Sequence, residues 1–220
     1  MITYCLPACV DGTGAARRFA RPRLRNLFGL FSRTIRVPEP GVPSTRIPPF
    51  VERLWMPAYA VCIRTSSAKG DQQIWTSVEG ISGTFSLFDG VGDLDSRSIE
   101  EEVFPPTLGA TEAGDLARAG LVRYIMSQRG QMDKPAVQEI IEVRTYHFPV
   151  WVCYFHRYGL RHLDLKVLEA CSGRAGGAKL RISVLNALIA ARKKKREEWA
   201  GSAPRIAGQC QASMEGLPEA

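Results

Sequence analysis

The chain has 220 residues, 45% of them hydrophobic and 23% charged, and carries 29 basic against 22 acidic residues for a formal net charge of +7. This is ordinary globular material, enough to bury a sizeable core as one domain or two closely joined ones. The longest apolar run, Ile182 to Ala191, contains Ser183 and Asn186 and is too short for a membrane-spanning helix, which needs about 18 apolar residues or more.

The chain starts MITYCLPACVDG, with neither a basic n-region nor a continuous apolar h-region, so no secretory signal is visible and the expected location is the cytoplasm. Six cysteines (Cys5, Cys9, Cys62, Cys153, Cys171 and Cys210) are read as reduced thiols, because a chain of this size does not need disulfide staples. Cys5 and Cys9 form C-x3-C, which supplies two of the four ligands of a tetrahedral zinc site without a second pair. No metal and no cofactor are expected.

Between Gly12 and Pro38 stand seven arginines, Arg17, Arg18, Arg21, Arg23, Arg25, Arg33 and Arg36, and no acidic residue. Removing these seven from the 29 basic residues leaves 22 against 22, so the whole net charge sits in this arm. Its arginines alternate with Phe19, Leu24, Leu27, Phe28, Leu30 and Phe31, and Pro22 and Gly29 argue against one long amphipathic helix. Such an arm suits a phosphate backbone or an anionic membrane surface, or docks its apolar residues on the domain while the arginines stay solvated. From Val37 to Pro49 five prolines mark a linker.

Residues 54 to 83 then contain LWMPAYAVCIR and QIWTSVEGISG, aromatic and β-branched strings that predict two strands and a turn. The acidic stretch from Asp89 to Glu102 predicts an exposed loop; Asp89, Asp93 and Asp95 have partial calcium-loop spacing, but Leu94 stands where that loop needs glycine. Thr111 is the expected N-cap of a helix through Arg129, with Ala117, Leu121, Tyr124, Ile125 and Gln128 on its mainly apolar stripe and Gly130 as its stop.

About 90 residues after the first pair of strings, YHFPVWVCYFHR and LDLKVLEACSG repeat the same order. Pro57 matches Pro149, Tyr59 matches Trp151 and Val61 matches Cys153; Val78, Glu79, Gly80, Ser82 and Gly83 match Leu168, Glu169, Ala170, Ser172 and Gly173. Cys153, His156 and His162 have tempting ligand types, but an odd offset on a strand puts Cys153 and His156 on opposite faces. The pairs Ser82-Gly83 and Ser172-Gly173 fit turns that need positive φ.

SGRAGGAKLR misses the phosphate-loop spacing, although Arg174, Lys179 and Arg181 beside a helix start suit an isolated anion. A second helix is predicted from Ala178 to Trp199, apolar nearly all round for three turns through Leu180, Ile182, Val184, Leu185, Leu188 and Ile189, and hence well buried. It ends in Arg192, Lys193, Lys194, Lys195 and Arg196, where positive charge meets the helix dipole or forms a contact patch for nucleic acid. The tail after Gly201 is small and polar and reads as disordered.

The expected fold is therefore α+β: two tandem hairpin-plus-helix repeats forming an antiparallel sheet with helices on one face. Its divisions are a basic arm at 1–49, repeats at 50–130 and 131–200, and a tail at 201–220. A strand with MP or FP, a turn, and a strand ending in Val78 to Gly83 or Leu168 to Gly173 resembles small bacterial hairpin modules of the PepSY kind, although Glu79 and Glu169 stand where that signature has aspartate. The resemblance implies a noncatalytic domain that binds or regulates another protein.

No G-x-S-x-G motif is present and all three histidines fall in one stretch of the second repeat, so no catalytic residue is assigned. Glu79 and Glu169 occupy matched places, and a pseudo-twofold axis would pair their carboxylates, although matched turns alone explain the match. A pocket lined by His156, Lys166 and Glu169 would favour an enzyme. The first expectation is a scaffold with a protein partner. The second is a nucleic-acid-associated protein gripping with Arg17, Arg18, Arg21, Arg23, Arg25 and the cluster from Arg192 to Arg196, and peripheral contact with an anionic membrane is a third partner class.

Overall fold

The computed structural model describes residues 3–20, 48–68, 70–99, 101, 103–128, 134–156 and 163–202. Its elements in chain order are β1 (Thr3–Cys5), α1 (Gly12–Ala20), β2 (Phe50–Ser67), β3 (Gly70–Glu79), β4 (Phe85–Leu87), β5 (Asp95–Arg97), α2 (Ala110–Ser127), β6 (Ala136–His156), β7 (Leu163–Glu169) and α3 (Ala178–Ser202).

Two long antiparallel strands, β2 and β6, form the spine, with Met56 opposite Phe148 and pairing from Phe50↔Tyr154 to Ser66↔Ala136. The sheet runs β4-β3-β2-β6-β1-β5, and β7 also pairs with β6. The α+β class is as expected. The sheet itself is mixed rather than wholly antiparallel, because β1 lies parallel to β6 through Tyr4↔Tyr146 and Cys5↔His147. The acidic stretch after Asp89 is partly ordered, as a short 3-10 turn (Gly90–Asp93) and β5, which pairs with β1.

Ten consecutive β2 residues, Leu54 to Ile63, are buried, and a strand can be apolar without alternation only when both its faces are covered. Side-chain parity shows what covers them. Tyr59, Val61 and Ile63 pack with Ala113, Ala117 and Leu121 of α2, whereas Leu54 and Met56 pack with Val184 and Ala187 of α3. Pairing with β6 is unbroken from Phe50 to Cys62, so odd and even positions point to opposite faces. Helices therefore cover both faces of the sheet and not one: α1 joins α2's side, where Ala15 and Phe19 pack on Trp151 and Cys153, and α3 lies across the other.

The two hairpins have the same register about their turns. Ala58 faces Glu79 in β2–β3, and Val150 faces Glu169 in β6–β7. Gly83 N donates to the Glu79 carbonyl at 2.9 Å and Gly173 N to the Glu169 carbonyl at 2.8 Å; both glycines have positive φ, +67° and +65°.

The helix that sits on the second hairpin as α2 sits on the first is α1, not α3. Thr107 N and Leu108 N donate to the Gly80 carbonyl, and Cys9 N and Val10 N donate to that of Ala170, all at 2.9 to 3.1 Å. Tyr59 Oη donates to the Leu108 carbonyl at 2.6 Å, and Trp151 Nε1 to the Val10 carbonyl at 2.9 Å. Residues 3–20, expected within a basic arm, are thus built into the sheet and its α1 layer, because Phe19 and Ala15 have an apolar site on the second hairpin.

Two helix details also differ from expectation. The N-cap of α2 is Gly109 and its C-cap Gln128, so Thr111 lies inside the first turn. α3 is buried on one side only: Ile182, Leu185 and Ile189 are 55%, 37% and 65% exposed, because the sheet takes just the Leu180, Val184, Ala187 and Leu188 side. Among the described residues no helix is long and apolar enough to cross a membrane.

Candidate functional site: a cleft between the two hairpin turns

On the α3 face, a cleft of about 300 Å³ opens between the turn after β3 and the turn after β7. The β2 sequence makes the room. Ala58 and Ala60 are almost fully buried small residues, with Ser77 and Glu79 beside them on β3 and Tyr146 beside Ala58 on β6. The Tyr146 ring therefore lies over β2, and its hydroxyl meets Ser77 Oγ at 2.8 Å on the far side. Phe88 stacks on that ring at 5.0 Å between centroids. Phe148, two positions after Tyr146 and so on the same face, continues the aromatic wall.

Both matched glutamates reach this cleft. Glu79 Oε2 accepts from Ser82 N at 2.6 Å, Ser82 Oγ at 2.6 Å and Ser183 Oγ at 3.0 Å, while Oε1 accepts from Ile81 N at 3.2 Å. Glu169 accepts from Ser172 Oγ at 2.8 Å. Ser183 is the one donor from outside the Glu79 turn: it comes from α3, is fully buried, and its hydroxyl bonds Glu79. Lys179, from the first turn of α3, completes the lining with Cys171 and Leu180.

Two groups of the cleft are held in their protonated forms. Burial, with Glu169 and Cys171 nearby, pushes the Tyr146 phenol up to about 12 despite its Ser77 hydrogen bond. Burial, then the neighbouring Cys9 and Glu169, pushes the Cys171 thiol up to about 12. A phenol and a thiol in that state donate hydrogen bonds at neutral pH and supply neither a base nor a thiolate nucleophile. The Glu79 carboxylate is held by three donors of its own turn and by Ser183 of α3.

The other sequence-derived candidates lie elsewhere. Arg17 and Arg18 are on α1, and Arg18 Nη1 donates to the Gly173 carbonyl. Arg21, Arg23 and Arg25 lie outside the described residues. Arg192 to Arg196 are exposed on the distal half of α3, where Lys193 and Lys194 approach Glu197 and Glu198 at 3.8 and 3.9 Å. Because α1 and α3 occupy opposite faces of the sheet, the structure does not merge their arginines into one patch.

Ser82, Gly83, Ser172 and Gly173 shape the two turns, and Ser82 also lines the cleft. Of the trio His156, Lys166 and Glu169, only Glu169 reaches the cleft; Lys166 instead lies over the Phe155 ring at 5.4 Å. Arg181, grouped with Lys179 from the sequence, pairs with Asp164. Among the described residues no group of three or more His, Cys, Asp or Glu is placed to hold a metal ion.

Sequence reasoning missed Ser77, Tyr146, Cys171 and Ser183. The two alanines at alternate β2 positions, Ala58 and Ala60, were the one local sign of a space above the strand.

No family model matches the chain, and neither the curated proteins nor the solved structures give a match.

Proposed function

We propose that this chain is a noncatalytic interaction protein, a duplicated hairpin-and-helix scaffold of the kind the PepSY resemblance implies, and that it binds a protein partner through the outer side of α3. The observation that carries this is the row Ile182, Leu185 and Ile189, spaced by three and four residues on one helix side and exposed while the opposite side is buried. A helix apolar on both sides, with one side covered by its own sheet, presents the other to an apolar groove. Arg192 and Arg196 continue along the same side, so the complementary groove is bordered by acidic residues. The matched registers and turn hydrogen bonds of the two hairpins support duplication, and the commitment of Glu79 to its turn supports a noncatalytic role.

The test is affinity purification of the tagged chain after nuclease treatment, with the Ile182→Ser/Ile189→Ser variant alongside. Loss of a specific protein from the variant, with unchanged thermal unfolding, supports the proposal. An identical set of captured proteins overturns it. The second reading, nucleic-acid association, is favoured by the exposure of Arg192 to Arg196. It predicts DNA or heparin binding that falls steeply with salt and is lost when those five residues are neutralised.

A further inference from the structure

We propose that the cleft between the two hairpin turns binds a small zwitterion with an apolar side chain, an α-amino acid in chemical class, its ammonium on Glu169 and its carboxylate on Lys179. The proposal concerns the inner side of α3 and stands apart from the partner surface on its outer side.

The two glutamates are equivalent in register but differ in use. Glu79 has its oxygens committed to four donors, including both the backbone and the hydroxyl of Ser82. Glu169 receives the Ser172 hydroxyl alone among described donors, so it keeps acceptor capacity toward the cleft. Lys179 lines the same space and takes part in no ion pair among the described residues. An anionic acceptor and a cationic donor thus face one cavity whose wall is Phe88 and Phe148.

Complementarity decides the ligand class. A simple amine satisfies Glu169 but brings a like charge toward Lys179; a simple carboxylate does the reverse. Each leaves one of the two charges without a partner in the cleft, so it forms one ion pair where a zwitterion forms two. A zwitterion satisfies both and lays its apolar group on the aromatic wall. The volume, about 300 Å³, is at the small end of ligand sites and suits a single amino acid. The Cys171 thiol, protonated, adds a donor to the lining without reacting.

The test is calorimetric titration of the full chain with L-phenylalanine, L-leucine, phenethylamine and 3-phenylpropanoate. The expected result is saturable binding of at least one amino acid, about tenfold or more tighter than either singly charged analogue. Lys179→Met should abolish the preference over phenethylamine, and Glu169→Gln the preference over 3-phenylpropanoate; both side chains are solvent-accessible, and thermal unfolding reports whether the fold is kept. No saturable binding of either amino acid up to about 10 mM overturns the proposal, as does a singly charged analogue that binds as tightly.

Discussion

Ser183, near the start of α3, donates its hydroxyl to Glu79 Oε2 at 3.0 Å, joining a helix that follows the second hairpin to the turn of the first, 104 positions earlier. The bond is fully buried on the Ser183 side and has no counterpart at Glu169 among the described residues. Ser183→Ala removes one of four donors to a buried carboxylate, and should cost about 1–3 kcal/mol. Chemical denaturation checks the size, and amide exchange should quicken at the start of α3 more than in β2. An unchanged midpoint and an unchanged exchange pattern would make the contact incidental.

Gly120 lets α2 approach the sheet. A Cβ there would stand 2.4 Å from Phe85 Cγ and Cδ2 and 3.0 Å from its Cβ, well inside contact distance. Alanine usually stabilises a helix interior by up to about 1 kcal/mol relative to glycine, but overpacking costs about 1–3 kcal/mol. Gly120→Ala should therefore destabilise. Gly83→Ala should also destabilise, by about 1–2 kcal/mol, because φ is +67° and a Cβ would meet Leu116 Cδ1 at 2.8 Å. A rise in unfolding temperature for either variant contradicts the packing described.

Alkaline pH should weaken the fold. Burial raises Tyr146 from 10.0 to about 12, Cys171 from 9.0 to about 12 and Cys153 from 9.0 to about 11. In each case the unfolded chain loses its proton first, so the stabilisation is complete below the unfolded value and disappears as pH rises through the folded one. Unfolding free energy should decline from about pH 9 upward. Cys153→Ser and Tyr146→Phe should each flatten part of that decline, and parallel curves for wild type and both variants would show that these groups do not cause it.

Acid acts through a different group. His147 is buried, its Nε2 sits 3.2 Å from the Phe104 carbonyl, and its Nδ1 has no hydrogen-bond partner among the described residues. Burial lowers its proton affinity, although the Phe104 contact works the other way. The unfolded chain takes up a proton near 6.5 before the folded one does, so this stabilisation is present above that value and lost as pH falls below it. His147→Gln should reduce the slope of stability against pH below 6.5; an unaltered slope would assign acid sensitivity to the carboxylates alone.

Several elements were legible because their causes are local. The strings ending at Gly83 and Gly173 specify turns in which glycine takes positive φ, and the aromatic and β-branched content of LWMPAYAVCIR and YHFPVWVCYFHR specifies strands. β1 and α1 were not legible. TYC is only three residues long, and the site that orders α1 is supplied by residues such as Trp151, 141 positions from the Val10 carbonyl it caps.

The cleft was half legible. Matched positions named Glu79 and Glu169, but Tyr146 and Ser77 carry no shared local signal; they meet only because Ala58 and Ala60 leave the β2 surface low enough for a tyrosine ring to cross it. The sequence of α3 likewise showed an apolar cylinder without showing which side the sheet would take.

By itself the sequence determined the class of the fold, its two hairpins and the chemistry at their turns, since these follow from short-range propensity, alternation and steric freedom at glycine. The tertiary structure decided which helix serves which hairpin, that both faces of the sheet are covered, and that Glu79 gains a donor from α3. Those outcomes depend on where distant segments return to the sheet, and the pairing of Glu79 with Ser183 rests on such a return.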